Sequence, residues 1–89
     1  MEKNVRMCML LDIYFSLLTQ KQQECMRLYY EEDLSLSEIS ELLSISRQGV
    51  RDVIVRAENA MTELEDKTGL IRRFMQMQKK VQGIEDAAK

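Results

Sequence analysis

Between Val5 and Leu18 the apolar residues Met7, Leu10, Leu11, Tyr14, Leu17 and Leu18 recur every three or four positions, the spacing that gathers them on one face of a helix. Asn4 stands where an N-cap belongs. Thr19, with Gln22 three residues on, matches a capping box and predicts a second helix over residues 20–32, with Cys25, Leu28 and Tyr29 as its buried stripe and Met26 beside them. The acidic run Glu31-Glu32-Asp33 sits badly at the negative end of that helix and helps to stop it. Ser35 and Glu38 form a second capping box ahead of a short helix over 37–43. After the break at Ser44-Ile45, Ser46 caps a longer helix to about residue 66, with Val50, Val53, Ile54, Ala57, Met61 and Leu64 as its apolar set. Gly69 ends it, and a last helix over about 70–84 carries Leu70, Ile71, Phe74, Met75, Met77 and Val81, fraying near Gly83. No window alternates as a strand would. The expected fold is all-α, a five-helix arrangement in which residues 1–89 make a single domain.

A short helix, a turn of three or four residues and a longer helix make a helix-turn-helix, here over about 35–66, whose second helix enters the major groove of DNA. Ile39, Leu43, Ile45, Val50 and Val53 can close a small core between the two, and a buried Ile45 is what would hold them at an angle. The helical period leaves Gln48, Arg51, Asp52, Val55 and Asn59 on the opposite face, with Arg47 and Arg56 at its edges. Glutamine can pair with adenine and arginine with guanine, a valine methyl can meet a thymine methyl, and flanking arginines can reach phosphates. Ser46, at the positive end of the helix, can offer its hydroxyl and nearby amides to a phosphate. The same residues also suit an ordinary solvated face in which Arg56 bridges to Asp52 four positions earlier, and Val55 suits burial against a partner protein.

Charge tempers the DNA reading. The chain has 13 basic and 15 acidic residues, a net charge of -2. Only residues 70–89 are basic overall, with Arg72, Arg73, Lys79 and Lys80 among their five cations against two anions. Asp52 adds a negative charge to the groove face itself. With 89 residues and no proline, the chain has little room for linkers, and its longest apolar run, Met7 to Leu11, is far shorter than the roughly 20 residues of a bilayer span, so a cytoplasmic protein without membrane insertion is expected. Cys8 and Cys25 fall in helical apolar patterns with no histidine to share a metal, so both read as buried, reduced thiols and no metal or cofactor is expected. Nothing suggests an enzyme: histidine and a Gly-rich phosphate loop are absent, and no nucleophile stands beside a base.

The stretch from Leu36 to Arg51, LSEISELLSISRQGVR, resembles the region-4 helix-turn-helix of bacterial sigma factors. The chain is more closely similar to the YlxM family of small bacterial helix-turn-helix proteins, through Leu10-Leu11-Asp12-Ile13-Tyr14, Leu17-Leu18-Thr19-Gln20-Lys21-Gln22 and Ser46-Arg47-Gln48-Gly49-Val50-Arg51-Asp52. That resemblance implies a DNA-binding regulator that takes part in the signal recognition particle pathway of protein targeting. It maps recognition positions onto Ser46, Arg47, Gln48, Arg51 and Asp52, with Ser37 near the phosphate backbone. This chain departs from the sigma-like pattern at Ser40, where alanine is usual, at Ser44, where glycine is usual, and at Gly49, where a larger polar residue is usual. Glycine inside a helix costs up to about 1 kcal/mol, so either the backbone approaches something closely at Gly49 or the residue is merely tolerated.

Two functions remain open on the sequence. One is DNA binding through Ser37, Ser46, Arg47, Gln48, Arg51, Asp52, Val55 and Arg56, as a homodimer, because one motif this small offers little interface for high specificity. Phe74, Met75, Met77 and Val81 either supply the dimer contact or pack back on the first helix. The other is an accessory module that binds signal recognition particle protein or RNA through its basic end and uses the motif as a scaffold.

Overall fold

The computed structural model describes residues 4–78. Five helices occur among them, and no strand: α1 (Val5–Tyr14), α2 (Gln20–Met26), α3 (Leu36–Leu43), α4 (Arg47–Thr68) and α5 (70–78). Each start is set by the side chain that the sequence places there. Asn4 accepts a hydrogen bond from the Met7 amide at 2.7 Å, and reciprocal capping boxes join Thr19 to Gln22 and Ser35 to Glu38. Ser46 accepts from the Gly49 amide at 2.9 Å. Each cap satisfies amides that the first turn of a helix leaves without a partner.

Two ends differ from the sequence expectation. The first helix stops at Tyr14 rather than Leu18 and tightens into a 3-10 turn, Phe15–Leu17. That tightening turns Leu17 outward, 66% exposed, and the extended backbone of Leu18 then carries its side chain into the core. Gln23 holds the junction by donating from its side chain to the Phe15 carbonyl at 2.9 Å. The second helix continues past Met26 as a π turn, Arg27–Glu31, in which the Glu32 amide bonds back to the Arg27 carbonyl. Asp33, left-handed at φ 56°, then reverses the chain. The extra residue in this turn changes which side chains face inward. Leu28 is buried, Tyr29 is only half-buried, and Tyr30 donates its hydroxyl to Glu58 of α4 at 2.5 Å. Burial and the Glu58 carboxylate together raise the Tyr30 phenol above its ordinary pKa, so it stays a neutral donor.

α4 is the axis of the fold and packs against α1, α2 and α3. Its buried residues Val50, Ile54, Ala57, Met61 and Glu65 form one stripe, which meets Leu10, Leu11, Tyr14, Leu18, Cys25, Met26, Leu28 and Ile39. Val53 and Leu64 pack on the margin of this core. The two cysteines part company: Cys25 is buried as expected, whereas Cys8 is exposed, because α1 turns Leu10, Leu11 and Tyr14 inward and leaves Cys8 on its flank.

Glu65 is the one buried charged residue among those described. Its carboxylate accepts from the Tyr14 hydroxyl at 2.8 Å and from the backbone amides of Ile71 and Arg72 at 3.0 and 3.3 Å, while the Tyr14 hydroxyl also bonds to Thr68. It therefore caps α5 from across the Gly69 turn and fastens α1 to the same point. Gly69 is left-handed at φ 63°, as its place at the helix end predicts. Of the apolar residues in α5 only Ile71 is buried; Leu70, Phe74, Met75 and Met77 are exposed. Val81, Gly83, Lys79 and Lys80 lie outside the described residues. No helix among the described residues is long and apolar enough to cross a membrane.

Candidate nucleic-acid interface

The turn between α3 and α4 shows how the chain accommodates serine at the two unusual positions. Ser44 takes the left-handed conformation, φ 57° and ψ 40°, that ends α3. Ser40 donates its hydroxyl to the Ile45 carbonyl at 2.5 Å, and the Ile45 amide returns to the Ser40 carbonyl at 3.2 Å. The hydroxyl thus ties the turn to the helix before it, where alanine could not. Ile45 is half-buried and packs against the core, as its role in setting the angle between the helices requires. A left-handed residue other than glycine costs about 1 kcal/mol or more, partly offset by the greater freedom of unfolded glycine. Ser44→Gly is accordingly expected to stabilise the protein by about 0.5 kcal/mol in urea denaturation, with an unchanged slope, because Ser44 is exposed.

Gly49 holds the third helical position behind the Ser46 cap, a place that Gln22 and Glu38 fill with full side chains behind the other two caps, so glycine is tolerated there and not required. A Cβ there would lie 3.1 Å from the Ser46 hydroxyl oxygen and 4.0 Å from Ile45 Cδ1. The close approach is by the helix's own cap, which the Gly49 amide needs.

The first half of α4 carries the face that the helical period predicts. Arg47, Gln48, Arg51, Asp52, Arg56 and Asn59 are exposed, as are Ser46 at the cap and Ser37 in the first turn of α3. Val55 is half-buried and sits at the margin of this face. Asp52 turns back along the helix: Gln48 Nε2 donates to its Oδ1 at 3.0 Å. The ion pair between Arg56 and Asp52 that a solvated face would favour does not form among the described residues. Arg56 stands about one turn beyond Asp52 along α4.

Three of the predicted residues come together. Arg47, Gln48 and Arg51 line an open cleft of about 590 Å³ beside the start of α4, and its other walls are Leu36 of α3 and Tyr29 of the π turn. Ser37, Ser46, Asp52, Val55 and Arg56 lie outside that cleft. Tyr29, expected in the buried stripe, does pack against the core, but it is only half-buried and also lines the cleft. A pattern of threes and fours carries no mark of a π turn, so nothing in the sequence signals that Tyr29 also reaches the cleft.

Relatives with the same pattern exist. A family profile described as "Putative helix-turn-helix protein, YlxM / p13 like" matches residues 1–89. A UPF0122 protein of Caldanaerobacter subterraneus subsp. tengcongensis is 48% identical over 80 residues, covering 90% of this chain and 68% of the relative. A UPF0122 protein of Bacillus thuringiensis is 51% identical over 81 residues, covering 91% and 74% respectively. One from Clostridium botulinum is 46% identical over 79 residues, covering 89% and 72%.

Proposed function

The chain belongs to the YlxM / p13-like helix-turn-helix family, and from that premise we propose that it is a cytoplasmic DNA-binding regulator whose recognition helix is α4. The observation that carries this reading is the exposed row of Arg47, Gln48, Arg51 and Asp52 on the helix that the Ser44–Ile45 turn holds outward. In the groove, Arg51 would pair with guanine, and Gln48 would use its carbonyl and the N–H not given to Asp52 to pair with adenine. Asp52 then serves as a buttress for Gln48, which explains a carboxylate on a surface meant for DNA. Ser37, Ser46, Arg47 and Arg56 would meet phosphates, and Val55 a thymine methyl. The similarity of the motif to sigma factor region 4 supports the same placement.

A homodimer belongs to this reading, because two half-sites supply the interface that a single small motif lacks. The exposed Phe74, Met75 and Met77 of α5 are the apolar surface available for it. The test is fluorescence anisotropy against genomic fragments over a salt series: binding that is retained at about 100 mM salt and weakens steeply above it supports the reading. Failure to bind any fragment at that salt overturns it.

The alternative, an accessory role toward signal recognition particle protein or RNA, is favoured by the exposed Arg72 and Arg73 at the start of α5. Charge reversal at these two, set beside replacement of Arg47 and Arg51, separates the readings. Loss of partner capture by the α5 change alone makes the motif a scaffold.

A further inference from the structure

We propose that Tyr29 is a DNA-backbone contact, forming with Arg47 a pocket for one sugar–phosphate unit at the edge of the groove that α4 enters, beside the base-reading Arg51. The inference rests on the DNA-binding reading above and adds a residue to it. Three observations carry it. First, Tyr29 is delivered to the cleft by a π turn, Arg27–Glu31, and such single π turns concentrate at functional sites. Second, its ring is held in advance: it meets Tyr30 edge to face, with centroids 5.2 Å apart and planes at 83°, and Tyr30 is itself fastened to Glu58. A preorganised aromatic wall loses little freedom on binding. Third, the five lining residues include two guanidinium groups, an amide, a phenol and a leucine, and none is acidic. The Arg47 guanidinium matches phosphate oxygens, the phenol hydroxyl can bond to one of them, and the Tyr29 ring with Leu36 can cover a deoxyribose. The cleft lies where the N-terminal turns of α3 and α4 meet, which is where helix-turn-helix proteins cross the backbone beside the groove.

The test compares wild type, Tyr29→Phe and Arg51→Ala on one DNA fragment by anisotropy over a salt series, together with phosphate-ethylation interference. Tyr29→Phe keeps the ring, and circular dichroism with a cooperative melt checks that the variant is folded. It is expected to weaken binding about tenfold, the effect of one hydrogen bond to a charged group. The salt slope should stay the same, because a phenol displaces no counterion. The weakening should be equal on unrelated fragments, because a backbone contact reads no base. One phosphate whose ethylation blocks wild type should cease to matter for Tyr29→Phe.

If Tyr29→Phe binds as wild type does, with the same ethylation pattern, while Arg51→Ala fails, the Tyr29 contact is overturned and the DNA reading stands. If wild type binds no DNA, both fall. Tyr29-dependent binding of an acidic peptide such as polyglutamate by a protein that ignores DNA would assign the cleft to a protein partner and overturn the proposal.

Discussion

Glu65→Leu is expected to lower the stability of the protein by about 3 kcal/mol in urea denaturation, and to release α5 before the rest of the fold. The substituted side chain fits an apolar stripe, so loss of packing is not the cause. The loss comes from donors left without an acceptor: the Ile71 and Arg72 amides, and the Tyr14 hydroxyl, which keeps only Thr68. Each unsatisfied buried donor costs about 1–3 kcal/mol, and the apolar burial of leucine offsets part of the total. A chain of this length has roughly 4–13 kcal/mol of stability in all, so the melting midpoint should fall by roughly 15 °C. Glu65→Gln keeps the shape and one acceptor oxygen and should fall between the two. Equal stability of all three proteins would show that the carboxylate supports nothing.

The same cluster fixes a pH dependence. Burial pushes the Glu65 carboxyl up, but the Ile71 amide, the Tyr14 hydroxyl, the Arg72 amide and the nearby Arg6 charge outweigh it and hold the group below its ordinary value of 4.5. Glu38, bonded by the Ser35 amide and hydroxyl, is lowered likewise. Groups lowered by folding stabilise the native state fully above about pH 4.5 and lose that contribution as the pH falls through their depressed values. Acid titration followed by circular dichroism should therefore show a steep loss of wild-type stability below that pH. The curve for Glu65→Gln should be flatter there.

Replacing both Arg47 and Arg51 with alanine is expected to weaken DNA binding about a hundredfold, with the melting temperature unchanged because both side chains are exposed. A base-reading arginine accounts for about 1–3 kcal/mol, and a phosphate contact adds less but carries salt dependence. The slope of log affinity against log salt should drop by about 0.9, for the one phosphate contact that Arg47 makes. The single variants divide the roles: Arg51→Ala should relax preference at one base pair, and Arg47→Ala should weaken all sequences alike. Unchanged affinity in the double variant removes α4 as the recognition helix.

Much of this architecture could be read from short-range pattern. Asn4, Thr19, Ser35 and Ser46 announce their helices because capping is a contact over three residues, and Gly69 announces an end for the same reason. What could not be read depends on contacts distant in the chain. Cys8 and Leu17 look like core by period, yet α1 leaves Cys8 on its flank and the 3-10 turn after it carries Leu17 outward. Glu65 looks like surface by type, although it continues the stripe of Ile54, Ala57 and Met61 by one more step of four, the one local sign that it faces inward. The groove face was legible because it is the complement of a strong stripe. That Tyr29 also reaches the cleft was not, because an added residue in a helix shifts side chains without altering the composition of the segment.

α4 is a single rod of 22 residues, about 33 Å at roughly 1.5 Å per residue. Its two ends serve different masters, with the arginines at one and the Glu65 anchor at the other. Mechanically that makes it a lever: a tilt of about 5° at the anchor moves the far tip by about 3 Å over that length, the difference between touching a base edge and missing it. The aim of the groove-facing end is thus set by how tightly Tyr14, Thr68 and the first turn of α5 clamp a carboxylate at the other end of the rod.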